Sequence, residues 1–174
     1  MFNFGVALTA LSVSLILISL ITPWLAINFL GNWIYSPIDI LKTIRQNGGN
    51  ITGSEKPNLI ALISPNQDRS FDLVFSSVAY LTSIPLIFIA LVAFWMKRRS
   101  RITIVAGILA VIAGITWIHS IQLIEAGASA ALGNELVDAV FVMGSSPYLV
   151  SIGGIIAISA YFVTKKYPGW SRAK

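Results

Sequence analysis

TPWLAINFLGNWIYSPIDI, residues 22–40, lies where a connecting loop should turn polar and does not. Its reading sets the number of membrane crossings and hence the fold. No charged side chain precedes Asp39, so the run from Met1 to Trp24 already holds the roughly 20 apolar residues that span a hydrocarbon core. Leu25 to Tyr35 is too short for another crossing and is interrupted by Gly31 and Asn32. Pro23 and Trp24 mark the end of the first span, where aromatic side chains favour the interface. The segment therefore reads as an aromatic lid at the membrane surface, packed over the helices behind it or presented to a partner. Trp24, Trp33 and Tyr35 are the side chains that would serve either role.

Working outward, the rest of the chain repeats the first run. Of 174 residues, 56% are hydrophobic and 11% charged, and the mean hydropathy is +0.80. A soluble domain carries roughly 25% charged residues. Uncharged stretches run from Leu73 to Met96, Ile102 to Ile124 and Ala139 to Thr164, each long enough to cross once. The fold expected is an all-α membrane protein, a bundle of four transmembrane helices at about 3–24, 73–96, 102–124 and 146–164. They form one integral domain with loops at 25–72 and 125–145, a short connection at 97–101 and a tail at 165–174. The first run is kept as a helix and not a signal peptide, because MFNFG lacks the basic start and the apolar core is longer than about 7–15 residues.

The charges give the orientation. Lys97, Arg98, Arg99 and Arg101 join helices 2 and 3, and Lys165, Lys166, Arg172 and Lys174 follow helix 4; no acid accompanies them. The other two loops hold all seven acids, Asp39, Glu55, Asp68, Asp72, Glu125, Glu135 and Asp138, against Lys42, Arg45, Lys56 and Arg69. By the positive-inside rule both termini face the cytoplasm, and the plasma membrane is the expected location. The pI near 9.8 then reports topology, with contact to anionic lipid secondary; nucleic acid is not an expected partner.

The long outer loop has helical grammar in one part. Ser36-Pro37 supplies a cap and a first-turn proline, and Asp39 lies where the helix dipole favours an anion. Ile38 and Leu41 follow at helical spacing and NGG, residues 47–49, is a stop. A short amphipathic helix results, capping the bundle or, through Leu41, meeting a partner. Asn50-Ile51-Thr52 is an N-glycosylation sequon in the same loop, so Asn50 is a candidate glycan site. Glu135 and Asp138 share a helical side, where solvation competes with a binding role. Ser146-Pro147 caps helix 4.

Inside the bundle, small residues let backbones approach: Ala106, Ala110 and Gly114 on helix 3, Gly153 and Ala157 on helix 4, within one chain or between copies. Pro85 deprives the Leu81 carbonyl of its donor, with Thr82 or Ser83 near enough to compensate. His119 and Gln122, late in helix 3, form a candidate polar cluster at the outer interface. Cysteine is absent and His119 is the only histidine, so thiolate or multi-histidine metal sites within the chain are excluded. No nucleophile–base pair or phosphate-binding glycine loop is found in the spans, and neither an enzyme activity nor a cofactor is expected.

The plan resembles the claudin and peripheral-myelin-protein group of four-span proteins. Trp24 and then Gly31-Asn32-Trp33 stand in the order of that group's first-loop tryptophan and Gly-Leu-Trp segment. Here Asn32 replaces leucine, the tryptophans lie closer together, and the two cysteines whose disulfide supports the group's outer sheet are missing. The resemblance implies cytoplasmic termini, a long first outer loop, a shorter second one and a basic inner face. The expected role is a non-catalytic membrane protein mediating assembly through its outer loops and small-residue helix faces, with itself or another membrane protein as partner within the lipid bilayer. The alternatives are an accessory subunit of a larger respiratory or secretion complex, and a small transporter or channel.

Overall fold

A computed structural model describes residues 4–28, 33–39, 67–96, 101–132 and 141–166. Four helices dominate: α1 (Phe4–Ile21), α2 (Gln67–Trp95), α3 (Ile102–Leu132) and α4 (Ser146–Lys166). All four are long and apolar enough to cross a membrane, so the chain is a multi-pass membrane protein. Each helix packs on two neighbours, α1 on α2 and α4, and α3 on α2 and α4. The result is a closed ring of antiparallel neighbours.

The burial pattern explains why these helices meet along these lines. On α1 the buried positions include Gly5, Thr9, Ser12, Ile16 and Ser19, alternating steps of four and three. Helix α4 buries Ser146, Val150, Gly153, Ala157, Ala160 and Thr164 at the same spacing. This is the seven-residue seam that keeps helices facing one another through a left-handed supercoil. Apart from Ile16 and Val150 its occupants are small or hydroxylated, whereas Ile18, Ile21, Val92, Ile115, Ile155 and Phe162 stay exposed. A water-soluble bundle would reverse that distribution; lipid accepts it, because packing and not hydrophobicity drives association there.

Hydroxyls tie three of the seams. Ser12 Oγ donates to the Gly153 carbonyl across α1–α4 at 2.6 Å, Ser76 Oγ donates to the Ala113 carbonyl across α2–α3 at 2.7 Å, and Ser19 Oγ shares a 2.8 Å hydrogen bond with Tyr80 Oη across α1–α2. The α3–α4 seam uses close backbone approach. A Cβ added at Gly107 would lie 2.7 Å from the Gly154 carbonyl oxygen, and one at Gly154 would lie 2.5 Å from that of Gly107. Ala106, Ala110 and Ala157 are fully buried, Gly114 abuts Pro147 and Ser151, and Gly153 abuts Ser12 and Ile16. These five small residues therefore serve contacts within the chain. The close pair Gly107–Gly154 is added to them.

At Pro85 the helix α2 continues. Thr82 Oγ1 and Ser83 Oγ donate to the carbonyls of Val78 and Tyr80, so neither hydroxyl serves the Leu81 carbonyl. Helix α3 runs on to Leu132 through EAGASAAL, where the sequence reading placed a loop from residue 125; alanine-rich sequence favours continuation.

The other difference from an all-helical chain is a small sheet. Strands β1 (Leu25–Ile27), β2 (Trp33–Tyr35) and β3 (Phe141–Met143) form an antiparallel sheet in the order β2-β1-β3. The lid thus supplies two of the three strands, and the segment before α4 supplies the third. Period-two burial explains it: Leu25 and Ile27 are buried while Ala26 between them is less so, which suits a strand with one face on a core.

Candidate interaction surface at the sheet end

The sheet is fixed to the bundle from beneath, and Trp24 is the fixing point. Helix α1 ends at Ile21, so the carbonyls of its last turn lack helical donors. Trp24 Nε1 donates to one of them, Ser19, at 2.8 Å. Its ring meets Tyr80 of α2 edge-on, centroids 4.7 Å apart at 61°, and Trp117 of α3 at 5.0 Å and 74°. Edge-to-face pairs of this kind add about 0.5–1.5 kcal/mol beyond burial. Tyr80 Oη also reaches the Ile16 carbonyl at 3.2 Å. All three rings are fully buried, and one side chain joins α1, α2 and α3 directly below β1.

The fourth helix enters through Ser146. Its Oγ donates to the Thr22 carbonyl at 2.7 Å and pairs with Thr22 Oγ1 at 2.5 Å, and its N–H meets the Pro23 carbonyl at 3.4 Å. Rather than closing its own helix end, Ser146 satisfies carbonyls just past α1. The Gly144 N–H donates to the Trp24 carbonyl at 3.1 Å, and a side chain at Gly144 would collide with the Pro23 backbone. β3 can therefore lie against the end of α1 only because residue 144 is glycine.

Register sorts the sheet into rows. Leu25 stands opposite Tyr35 on one side and Met143 on the other; Ala26 stands opposite Ile34 and Val142; Ile27 stands opposite Trp33 and Phe141. Leu25, Ile27 and Tyr35 are buried against the bundle, whereas Ile34 is 55% and Val142 45% exposed. The middle row is thus an outward apolar face, Ile34–Ala26–Val142. Past β2, the Ser36 N–H and Oγ both donate to Asp39 Oδ2, at 2.9 and 2.8 Å. The Asp39 N–H returns to the Ser36 carbonyl at 3.0 Å, and a helical turn starts at 37–39; the rest of the amphipathic helix expected from Ser36-Pro37 lies outside the described residues. The Tyr35 phenol is pushed up to about 12, first by burial and then by the negative charge of Asp39.

Compared with known protein families, curated proteins and solved structures, the chain matches none.

The candidate site residues divide by place. Trp24 and Tyr35 are buried within the chain, which puts them under the sheet as its support and not on a partner-facing surface. Trp33 pairs through its backbone with Ile27. His119 and Gln122 are exposed on α3. Leu41, Asn50, Glu135 and Asp138 lie outside the described residues. Among the described residues no group of three His, Cys, Asp or Glu side chains could hold a metal ion. Sequence reasoning passed over Tyr80, Trp117, Ile34 and Val142. Tyr80 carries a signal, being a polar-tipped aromatic in an apolar span that needs a partner when buried; Trp117, whose buried Nε1 has no hydrogen-bond partner, meets Trp24 through its ring. Ile34 and Val142 gain meaning only from strand register.

Proposed function

We propose that this chain is a non-catalytic four-span protein of the plasma membrane that makes protein contacts through its outer loops, with a second copy of itself as the first partner. The observation that carries the reading is the outward row Ile34–Ala26–Val142, an apolar face on a sheet braced from beneath by Trp24. A braced apolar face is pre-organised for contact, so little ordering entropy is lost on docking. The excess of basic residues on the side of the termini supports a cytoplasmic location for both, with the sheet and the Asn50 sequon outside. A sheet assembled from both outer loops also supports the likeness to the claudin and peripheral-myelin-protein group. In this chain the buried Trp24 does the bracing for which that group uses a disulfide. A second reading, an accessory subunit of a larger membrane complex, is favoured by the exposed apolar side chains on all four helices.

The absence of cysteine makes the test clean. Ile34→Cys introduces a single thiol on the outward face. Oxidative cross-linking in native membranes is expected to give a species of twice the chain's mass, and Ile34→Asp is expected to abolish association without unfolding the protein. Cross-linking only to larger polypeptides selects the accessory-subunit reading. No adduct at all sinks both.

A further inference from the structure

Helix α2 is continuous through Pro85, and Pro85 is exposed, near the middle of the span Asp72–Trp95. Counted at the helical rise it lies about 15 Å from Trp95, half way across a hydrocarbon core of about 30 Å. Proline has no N–H, so the Leu81 carbonyl loses its helical donor there. The two nearby hydroxyls are engaged elsewhere: Thr82 Oγ1 donates to the Val78 carbonyl at 2.8 Å and Ser83 Oγ to the Tyr80 carbonyl at 2.7 Å. Neither water nor headgroups reach this depth, where a backbone acceptor deprived of its donor is costly.

Thr82 is exposed on the same side of α2 as Pro85. Its hydroxyl can be released without loss, because the Val78 carbonyl keeps its helical donor, the Thr82 N–H. Donor and acceptor belong to adjacent residues and hence to one depth. A two-fold axis along the membrane normal preserves depth, so a second copy brings its own hydroxyl to the level of the Leu81 carbonyl, and the reverse. The flanking positions suit such a pair. Val78, Thr82, Pro85, Ile89 and Val92 follow in steps of four and three, all exposed, which lets two α2 helices wind along one seam. Helix α3 exposes Val105, Ile108, Ile112 and Ile115 at the same spacing, so the carbonyl and the hydroxyl, not the apolar side chains, single out α2.

We propose that two copies of the chain pair laterally in the bilayer through α2, each Thr82 hydroxyl donating to the partner's Leu81 carbonyl. This rests on the reading that the first partner is a second copy, and it supplies the membrane-embedded part of that contact. Self-complementarity selects the occupant: the face carries both the acceptor that needs a donor and a donor at the matching depth.

The test uses the full chain carrying Lys174→Cys, labelled with a donor or an acceptor dye and diluted in phosphatidylcholine vesicles until energy transfer is lost. Thr82→Val keeps the shape and removes the donor, and is expected to raise the dissociation constant about tenfold, the effect of two interhelical hydrogen bonds of ordinary strength. Thr82→Ser is expected to stay near the wild type. Pro85→Ala returns a helical N–H to Leu81 and is expected to weaken the pair severalfold, while the double variant loses no more than Thr82→Val alone. Ser14→Ala, which removes an exposed hydroxyl bonded within α1, leaves the constant unchanged. A Thr82→Val variant that pairs as tightly as the wild type overturns the proposal, as do losses that add in the double variant. Ile34→Asp separates the two contacts. Association abolished by it but indifferent to Thr82→Val keeps the sheet contact and sinks this one; association that survives it and falls with Thr82→Val keeps this one alone. Absence of energy transfer at every dilution sinks both.

Discussion

The sheet end and the α3–α4 seam are held by opposite means. Under the sheet, three large rings, Trp24, Tyr80 and Trp117, meet edge to face, and hydroxyl and indole groups are supplied to bond carbonyls near the end of α1. Along α3–α4 the side chains are withdrawn, and Gly107 and Gly154 bring backbone to backbone. The first region is filled and the second is emptied. Where the chain leaves regular helix and must satisfy stray carbonyls, bulk with a polar tip is needed. Where two regular helices only have to approach, any bulk is an obstacle.

Deleting volume should therefore hurt one region and adding it should hurt the other. Trp24→Ala is expected to have the largest effect. It opens a cavity among buried rings and leaves the Ser19 carbonyl without its donor, costing about 3–5 kcal/mol, read as a lower unfolding midpoint in mixed micelles. Trp24→Phe, which keeps most of the volume, should recover the larger part; an equal loss for both would mean the indole hydrogen bond outweighs packing.

Gly154→Val reverses the logic, and about 1–3 kcal/mol is expected from overpacking against the Gly107 carbonyl and Val111. If that variant matched the wild type in stability, the close approach would not be a constraint and the contrast would fail. The smallest effect concerns the rim of the filled region. The Tyr35 phenol ionises at about 12 in the folded chain and near its ordinary 10.0 when exposed. Folding thus favours the protonated form, and this contribution is whole below pH 10 and lost as pH rises towards about 12. Tyr35→Phe should remove that part of the alkaline decline, visible as a difference between the two stability–pH curves above pH 10. Curves that stay parallel there would show that Tyr35 does not gain its perturbation on folding.

What was legible in the sequence follows the same division. Four spans could be read because a bilayer demands about 20 consecutive apolar residues, and no other requirement writes so long a signal. Ala106, Ala110 and Gly114 were legible as packing residues, but Gly107 and Gly154 were not. Small residues occur at several registers of α3 and α4, and only the relative rotation of the helices selects the pair that touches. The sheet was illegible for a different reason. Its strands are three residues each, too short for alternation to stand out, and β3 reaches β1 from the far side of two helices. The first span is expected to reach Trp24, whereas α1 ends at Ile21, and the partners of Trp24, Tyr80 and Trp117, are brought to it by tertiary packing alone.

The support beneath the sheet has a further consequence. A disulfide would make the shape of the sheet depend on the redox poise of its surroundings, and this chain has no cysteine to oxidise. Its equivalent is an indole wedged between a phenol and a second indole, which no reductant can cut and no oxidoreductase needs to install. The sheet can therefore close as soon as α3 delivers Trp117 and β3 follows it, in a reducing compartment as readily as in an oxidising one.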